Sequence, residues 1–257
     1  MKKTISKTYH FLRKILTFNA KKNYKYIPYS YSKIDLWRHC PYKFKLQYVN
    51  NIRLSYSTNL AIIRGNYLHY CLENKNDGNS FTITEIFTKD EKQNALEVLN
   101  KFRNSKIGVY YLSQDGKHEV EFGIKKSKTN IYEVCSFNHN NTLFKGKIDF
   151  LFKKENTLYM IDWKSGKYKE EQNYNQLQLY SIWGFLQDKS IQTILCSYVY
   201  LEHNVENLIE FKRDELQKNI EMLESMIQNI EHDIKFIKNE TMQCEYCDFR
   251  KLNKCSK

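Results

Sequence analysis

The 257-residue chain carries 41 Lys or Arg against 29 Asp or Glu, and its net charge of +12 favours a polyanionic partner, nucleic acid first. A genome biased toward Lys, Asn, Tyr and Ile would produce part of the same character. No apolar stretch is long enough to cross a bilayer, so a soluble protein is expected, and seven cysteines without a secretory signal exclude a disulfide scaffold in favour of a reducing, cytoplasmic setting.

Residues 1–34 hold nine Lys or Arg and no Asp or Glu, which reads as a basic arm over 1–29 or an organelle transit peptide. A first helix is expected from Ser32 and Asp35, carrying Ile34, Trp37, Cys40, Phe44 and Tyr48 on its apolar stripe. A second covers about 59–74 and places Gly65 and His69 one turn apart; a third, more polar, runs over roughly 90–104. Strand patterns follow at 118–125, 131–137, 143–153 and 157–163, then a helix at about 172–187 and strands near 193–201 and 206–212. Asp214 and Gln217 are expected to cap a long final helix in which Leu216, Ile220, Leu223, Ile227, Ile230, Ile234 and Ile237 recur at steps of four and three; this stripe docks on its own domain or pairs with a second copy. The order implies a mixed α/β or α+β core with a mixed central sheet. Cys71, Cys135 and Cys196 are expected to pack within it.

Within the strand at 157–163 and just beyond, Asp162 and Lys164 share a face while Trp163 points the other way. A hairpin turning at Glu155-Asn156 would bring Asp149 beside Asp162. Two carboxylates there can hold one Mg²⁺ or Mn²⁺, with Lys164 placed to orient a water or to balance charge on a phosphorane-like transition state. Cys40, distant in sequence from Cys244, Cys247 and Cys255, makes a four-thiolate set that suits either zinc or an iron–sulfur cluster.

The segments Gly65-Asn66-Tyr67-Leu68-His69, Gly146-Lys147-Ile148-Asp149, Ile161-Asp162-Trp163-Lys164-Ser165-Gly166 and Gln176-Leu177-Gln178-Leu179-Tyr180, in that order, resemble the RecB-like branch of the PD-(D/E)XK nucleases. The resemblance spans about 30–257. It implies a restriction-endonuclease-like core with a long C-terminal helix, His69, Asp149 and Asp162 as metal ligands, Lys164 as catalytic residue, and Gln176 and Tyr180 as supports from the following helix. It further implies an acidic ligand between His69 and Asp149, for which Glu121 is chosen over Glu119. Ile148 stands where the superfamily nominally has Pro. Cys40-Pro41 and Cys244-Glu245-Tyr246-Cys247…Cys255 are similar to the iron–sulfur subgroup, which includes CRISPR-associated adaptation exonucleases and the AddB nuclease domain. There one Cys precedes the core and three follow it, holding a structural [4Fe–4S] cluster. Seven residues separate Cys247 from Cys255, more than the usual pattern.

The expected activity is metal-dependent hydrolysis of DNA, by an exonuclease on single strands or free ends. The rival reading is a non-cleaving DNA-binding module or accessory subunit of an adaptation or recombination complex. The chain has no Gly-x4-Gly-Lys-[Ser/Thr] loop, so a helicase or recombination partner would have to open duplex for it. Tyrosines and phenylalanines in a basic groove could stack on unpaired bases, though genome bias and core packing explain most of them; only Tyr29, Tyr31 and Trp37, which border the basic arm, are singled out.

Overall fold

The structure, a computed structural model, describes residues 25–26, 28–54, 60–82, 86–170 and 173–255. The arm expected over 1–29 falls almost wholly outside them.

Six strands form one mixed sheet: β1 (Lys117–Lys126), β2 (Tyr132–Cys135), β3 (Thr142–Lys154), β4 (Thr157–Lys164), β5 (Thr193–Tyr200) and β6 (Val205–Lys212), in the order β2-β1-β3-β4-β5-β6. Neighbours are antiparallel except β4 and β5. The two-residue turn between β3 and β4 is made at Glu155-Asn156, with Glu155 in the left-handed region at φ 52°. A parallel pair cannot be joined by a tight turn, and helix α6 (Asn175–Gln187) supplies the crossover from β4 to β5.

Helices cover both faces. On one side α1 (Tyr31–His39), α6 and α7 (Leu216–His232) pack over Phe122, Phe144, Ile148 and Met160. On the other, α3 (Leu60–Glu73), α4 (Lys89–Arg103) and α5 (Lys106–Leu112) cover Phe150, Phe152, Ile161 and Trp163. The strand and helix positions expected from periodicity appear within a few residues. Helix α5, capped by Ser105 accepting from the Gly108 amide at 3.0 Å, was not foreseen.

Four boundaries differ from expectation for identifiable reasons. The first helix is capped by Ser30, whose Oγ accepts from the Lys33 amide at 3.3 Å, rather than by Ser32. It stops at His39 because Pro41 disfavours helical backbone at the residue before it: Cys40 is extended (φ −156°, ψ 96°), and a new turn α2 (Pro41–Phe44) begins with the Cys40 sulfur accepting from the Lys43 amide at 3.4 Å. Helix α7 is led in by a 3₁₀ turn, Arg213–Glu215, in which Glu215 rather than Asp214 or Gln217 makes the cap, accepting from the Lys212 amide at 2.8 Å. It ends at His232, since Asp233 turns the chain by accepting from the Lys235 and Phe236 amides. Leu223, Ile227 and Ile230 are buried, each worth about 1.5–3 kcal/mol of apolar transfer, so this helix docks on its own domain. Ile234 and Ile237, which continue the spacing in sequence, are 85% and 67% exposed and lie beyond the helix.

Cys71 and Cys196 are buried as expected, while Cys135 is half-buried against Thr142.

Candidate active site and cysteine cavity

The site forms where β1, β3 and β4 pass beneath α3. In the antiparallel register His118 faces Phe150 and Val120 faces Ile148, which sets Glu119 opposite Asp149. The sheet is distorted here. Glu119 has φ 52°, and on β3 Ile148 points into the core under α6 whereas Phe150, two residues on, points into the core under α4. In an unbroken strand those two residues would share a face. A non-glycine residue held in the left-handed region costs on the order of 1–3 kcal/mol, and such strain is concentrated at functional sites.

His69 descends from α3. Gly65, one turn earlier, lets the helix lie against the segment following β4: a Cβ there would sit 2.9 Å from the Ser165 hydroxyl. The His69 Nε2 lies 3.0 Å from the Trp163 carbonyl oxygen, which can only accept, so that nitrogen carries a hydrogen. Nδ1 is then turned toward Asp149 Oδ1 at 3.4 Å and Glu119 Oε1 at 3.9 Å. The other Asp149 oxygen accepts from the Trp163 amide at 2.8 Å. One ligand atom each from His69, Glu119 and Asp149 lie within 4.8 Å of one another, the sole such three-donor group among the described residues. One imidazole with carboxylates is a donor set that Mg²⁺ or Mn²⁺ can use, and the Trp163 carbonyl fixes the tautomer that leaves Nδ1 available.

Asp162 is set slightly apart. Its Oδ2 pairs with Lys164 Nζ at 2.6 Å and its Oδ1 accepts from Gln176 Nε2 at 2.9 Å. The same amide nitrogen lies 3.3 Å from the Tyr180 hydroxyl, one turn along α6. Gly146 makes the space for Tyr180, because a Cβ at that position would lie 2.7 Å from its ring and 2.6 Å from that of Phe122. Lys164 Nζ also sits 4.4 Å above the Tyr198 ring.

The charges are strongly interdependent. Burial works against the His69 imidazolium, yet hydrogen bonds to Asp149 and Glu119 and the charges of Asp149 and Asp162 outweigh it and raise the pKa to about 10. Burial pushes the Glu119 carboxyl up, but His69 and Lys147 pull it below the ordinary value; the Lys147 ammonium is directly paired with it. The Asp162 carboxyl is pushed up by burial, with Lys164 opposing and Asp149 adding to the rise. Without a cation, the cluster therefore holds a proton on His69 to offset its carboxylates.

Of the residues singled out in the sequence, His69, Asp149, Asp162, Lys164, Gln176 and Tyr180 converge. Glu121 does not: it is exposed on β1, opposite Lys147 in the register, and Glu119 stands beside His69 and Asp149 in its place. Residues 119 and 121 have the same strand parity, so alternation could not rank them. Lys147, and the backbone of Trp163 as a brace for two donors, were also not foreseen. Tyr29 is fully buried with its hydroxyl on Glu231 and offers no face to a base, whereas Trp37, donating to Asp233 at 2.9 Å, and Tyr31, its hydroxyl 3.4 Å from Asp35, are half-buried.

At the far end of α1, Cys40, Cys244, Cys247 and Cys255 line one cavity of about 530 Å³, together with Lys43, Lys238, Phe249 and Arg250. All seven cysteines are free of disulfides. Cys255 is pushed up by burial, with Lys238 opposing and the other three thiols adding to the rise. No three of these sulfurs come within 4.8 Å of one another. Zinc at about 2.3 Å from each thiolate would draw four sulfurs to about 3.8 Å apart.

The sequence from residue 28 to 252 matches the model of the family described as the PD-(D/E)XK nuclease superfamily. The chain belongs to that superfamily. Its six-stranded mixed sheet flanked by helices is the restriction-endonuclease-like architecture that PD-(D/E)XK nucleases share; such nucleases use divalent metals, and His69, Glu119 and Asp149 form a group that could hold one. No curated protein matches the chain significantly. Among solved structures, one titled "Crystal structure of SSO0001" is 16% identical, covering 82% of this chain and 93% of that one, with a TM-score of 0.35, too slight a likeness to bear on activity. No helix among the described residues is long and apolar enough to cross a membrane.

Proposed function

We propose that this PD-(D/E)XK protein is an exonuclease of the RecB-like branch, acting on single-stranded DNA or DNA ends in a reducing, intracellular setting. The observation that carries the reading is the convergence of His69, Glu119 and Asp149 on one point, with the Asp162–Lys164 pair beside it. His69, Glu119, Asp149 and Asp162 would hold Mg²⁺ or Mn²⁺. When bound, such a cation polarises a non-bridging phosphate oxygen and lowers the pKa of a water. Lys164 lies within hydrogen-bond reach of Asp162 and orients the attacking water or neutralises charge building on the phosphate oxygens. Gln176 holds the Asp162 carboxylate through its other oxygen, and the Tyr180 hydroxyl holds Gln176, so the carboxylate keeps one orientation independently of Lys164. Net charge +12 supplies sequence-independent affinity for the phosphate backbone.

The same proposal assigns Cys40, Cys244, Cys247 and Cys255 to a structural [4Fe–4S] cluster. Four thiols lining one cavity of about 530 Å³ leave room for a multi-iron cubane, and Lys43 and Arg250 stand in the same lining to offset the negative charge of a thiolate-ligated cluster. A non-cleaving module would gain nothing from carboxylates clustered against a polyanion.

The test is cleavage of end-labelled single strands and duplexes with Mn²⁺ by the wild type, Asp162→Asn and Lys164→Ala. Loss of cutting in both variants, with strand binding retained, supports the assignment; equal cutting by all three refutes it. Separate labels on the two ends distinguish exonuclease from endonuclease action. Anaerobically purified protein should be brown, absorb near 400 nm and contain about four irons per chain; colourless protein with one zinc would overturn the cluster.

A further inference from the structure

We infer that Tyr168 is a stacking platform for an unpaired base of the strand being cut, a specificity element that rests on the DNA-cleaving reading above. The segment following the catalytic lysine reads Lys164-Ser165-Gly166-Lys167-Tyr168-Lys169, an aromatic ring bracketed by cations, with the carboxylates Glu170 and Glu171 only afterwards. Lys167, Tyr168 and Lys169 are all exposed, Tyr168 by 39%.

Its placement is built rather than incidental. The Tyr168 ring stands nearly perpendicular to that of Tyr200, at 81° with centroids 5.2 Å apart, and 6.4 Å from the His203 ring. Tyr200 is itself 2% exposed and is hydrogen-bonded to the backbone of Lys169. Asn207 donates to the Lys169 carbonyl at 3.0 Å, and the Leu201 amide to the Lys164 carbonyl at 3.0 Å. Both ends of the segment are thus tied to β5 and β6, and Tyr168 is presented without much ordering left to be done on binding.

Tyr200 and Tyr198 lie two residues apart on one face of β5. Tyr198 supports the Lys164 ammonium and Tyr200 supports Tyr168. The catalytic lysine and the exposed ring therefore rest on tyrosines two residues apart on the same strand. A phosphate at Lys164 leaves an adjoining base able to reach the Tyr168 face, with Lys167 and Lys169 drawing the flanking backbone. A base stacked in duplex does not offer that face, so the platform discriminates in favour of unpaired strand.

Binding of a fluorescein-labelled 12-nucleotide dT strand and of a blunt 12-base-pair duplex, measured by anisotropy with EDTA present, tests this without cutting. Tyr168→Ala and Tyr168→Leu should weaken single-strand binding about tenfold, Tyr168→Phe less than twofold, and none should change duplex binding by more than twofold. With Mn²⁺, Tyr168→Ala should raise KM for single strands while leaving kcat within about threefold. Tyr168→Ala and Tyr168→Leu that bind the single strand within twofold of wild type, or lose single-strand and duplex binding equally, overturn the proposal. If the wild type binds with this Tyr168 dependence yet never cuts, the nuclease reading fails and the platform stands. If Asp162→Asn abolishes cutting while Tyr168 proves irrelevant, the reverse holds.

Discussion

The proton on His69 makes metal loading measurable by its pH dependence. With its pKa raised to about 10, only on the order of one imidazole in three hundred is neutral at pH 7.5 when no cation is present. Ligation through Nδ1 must displace that proton, at a cost of about 3 kcal/mol at this pH. Apparent affinity for Mn²⁺ should therefore rise about tenfold per pH unit between 7 and 9, with about one proton released per ion bound. Calorimetric titration in buffers of differing ionisation enthalpy counts the protons, and His69→Ala should lose most of the release. The same linkage fixes a stability trend of opposite sign. A folded-state pKa of about 10 against an unfolded value near 6.5 means the proton's contribution is fully present below about 6.5 and lost as pH climbs to 10. Metal-free protein should weaken across that window while saturating Mn²⁺ stabilises it increasingly. Affinity that stays flat with pH, with no protons released, would refute the charge arrangement described for His69, Asp149 and Glu119.

Glu119→Gln should weaken Mn²⁺ binding by tenfold or more, whereas Glu121→Gln should change it less than twofold, as read by the same titration; the opposite pattern would restore Glu121 as the ligand. Cys40→Ser should lower thermal stability before it touches chemistry, because the proposed cluster, joining residue 40 to 244–255, would close a loop worth about 5 kcal/mol of chain entropy; an unchanged unfolding midpoint would show that nothing bridges the four sulfurs. Ile227→Ala, at a fully buried position of α7, should cost about 2–5 kcal/mol in urea denaturation while cleavage well below the transition is preserved.

Much of this site could be read before any coordinates because its residues are carried by regular elements. Asp162 and Lys164 share a strand face, Gln176 and Tyr180 a helix face, Gly65 and His69 another. Period places such pairs on one face, and the resemblance to the RecB-like branch marks which of them form the site. What escaped is what departs from period. Glu119 could not be told from Glu121 by alternation, because the choice is made by a left-handed residue in a distorted stretch of sheet. The early end of the first helix was written at Cys40-Pro41 and outweighed by an apolar spacing that carries on past it. At the other end, Ile234 and Ile237 continue the repeat of α7 with no proline or glycine to interrupt it, and the stop is made by the Asp233 side chain capturing amides. Four cysteines were legible as a set. Their spread around a cavity is a tertiary fact that spacing does not encode.

Trp163 joins two parts of the molecule that would otherwise be independent. Its indole is 3% exposed among Phe102, Tyr111 and Phe150, while its own carbonyl and amide grip His69 and Asp149. The orientation of those two side chains is thereby tied to a ring sealed in an aromatic layer. Repacking that layer at Phe102 or Phe150 would therefore move the carbonyl and amide that orient His69 and Asp149 without touching either side chain.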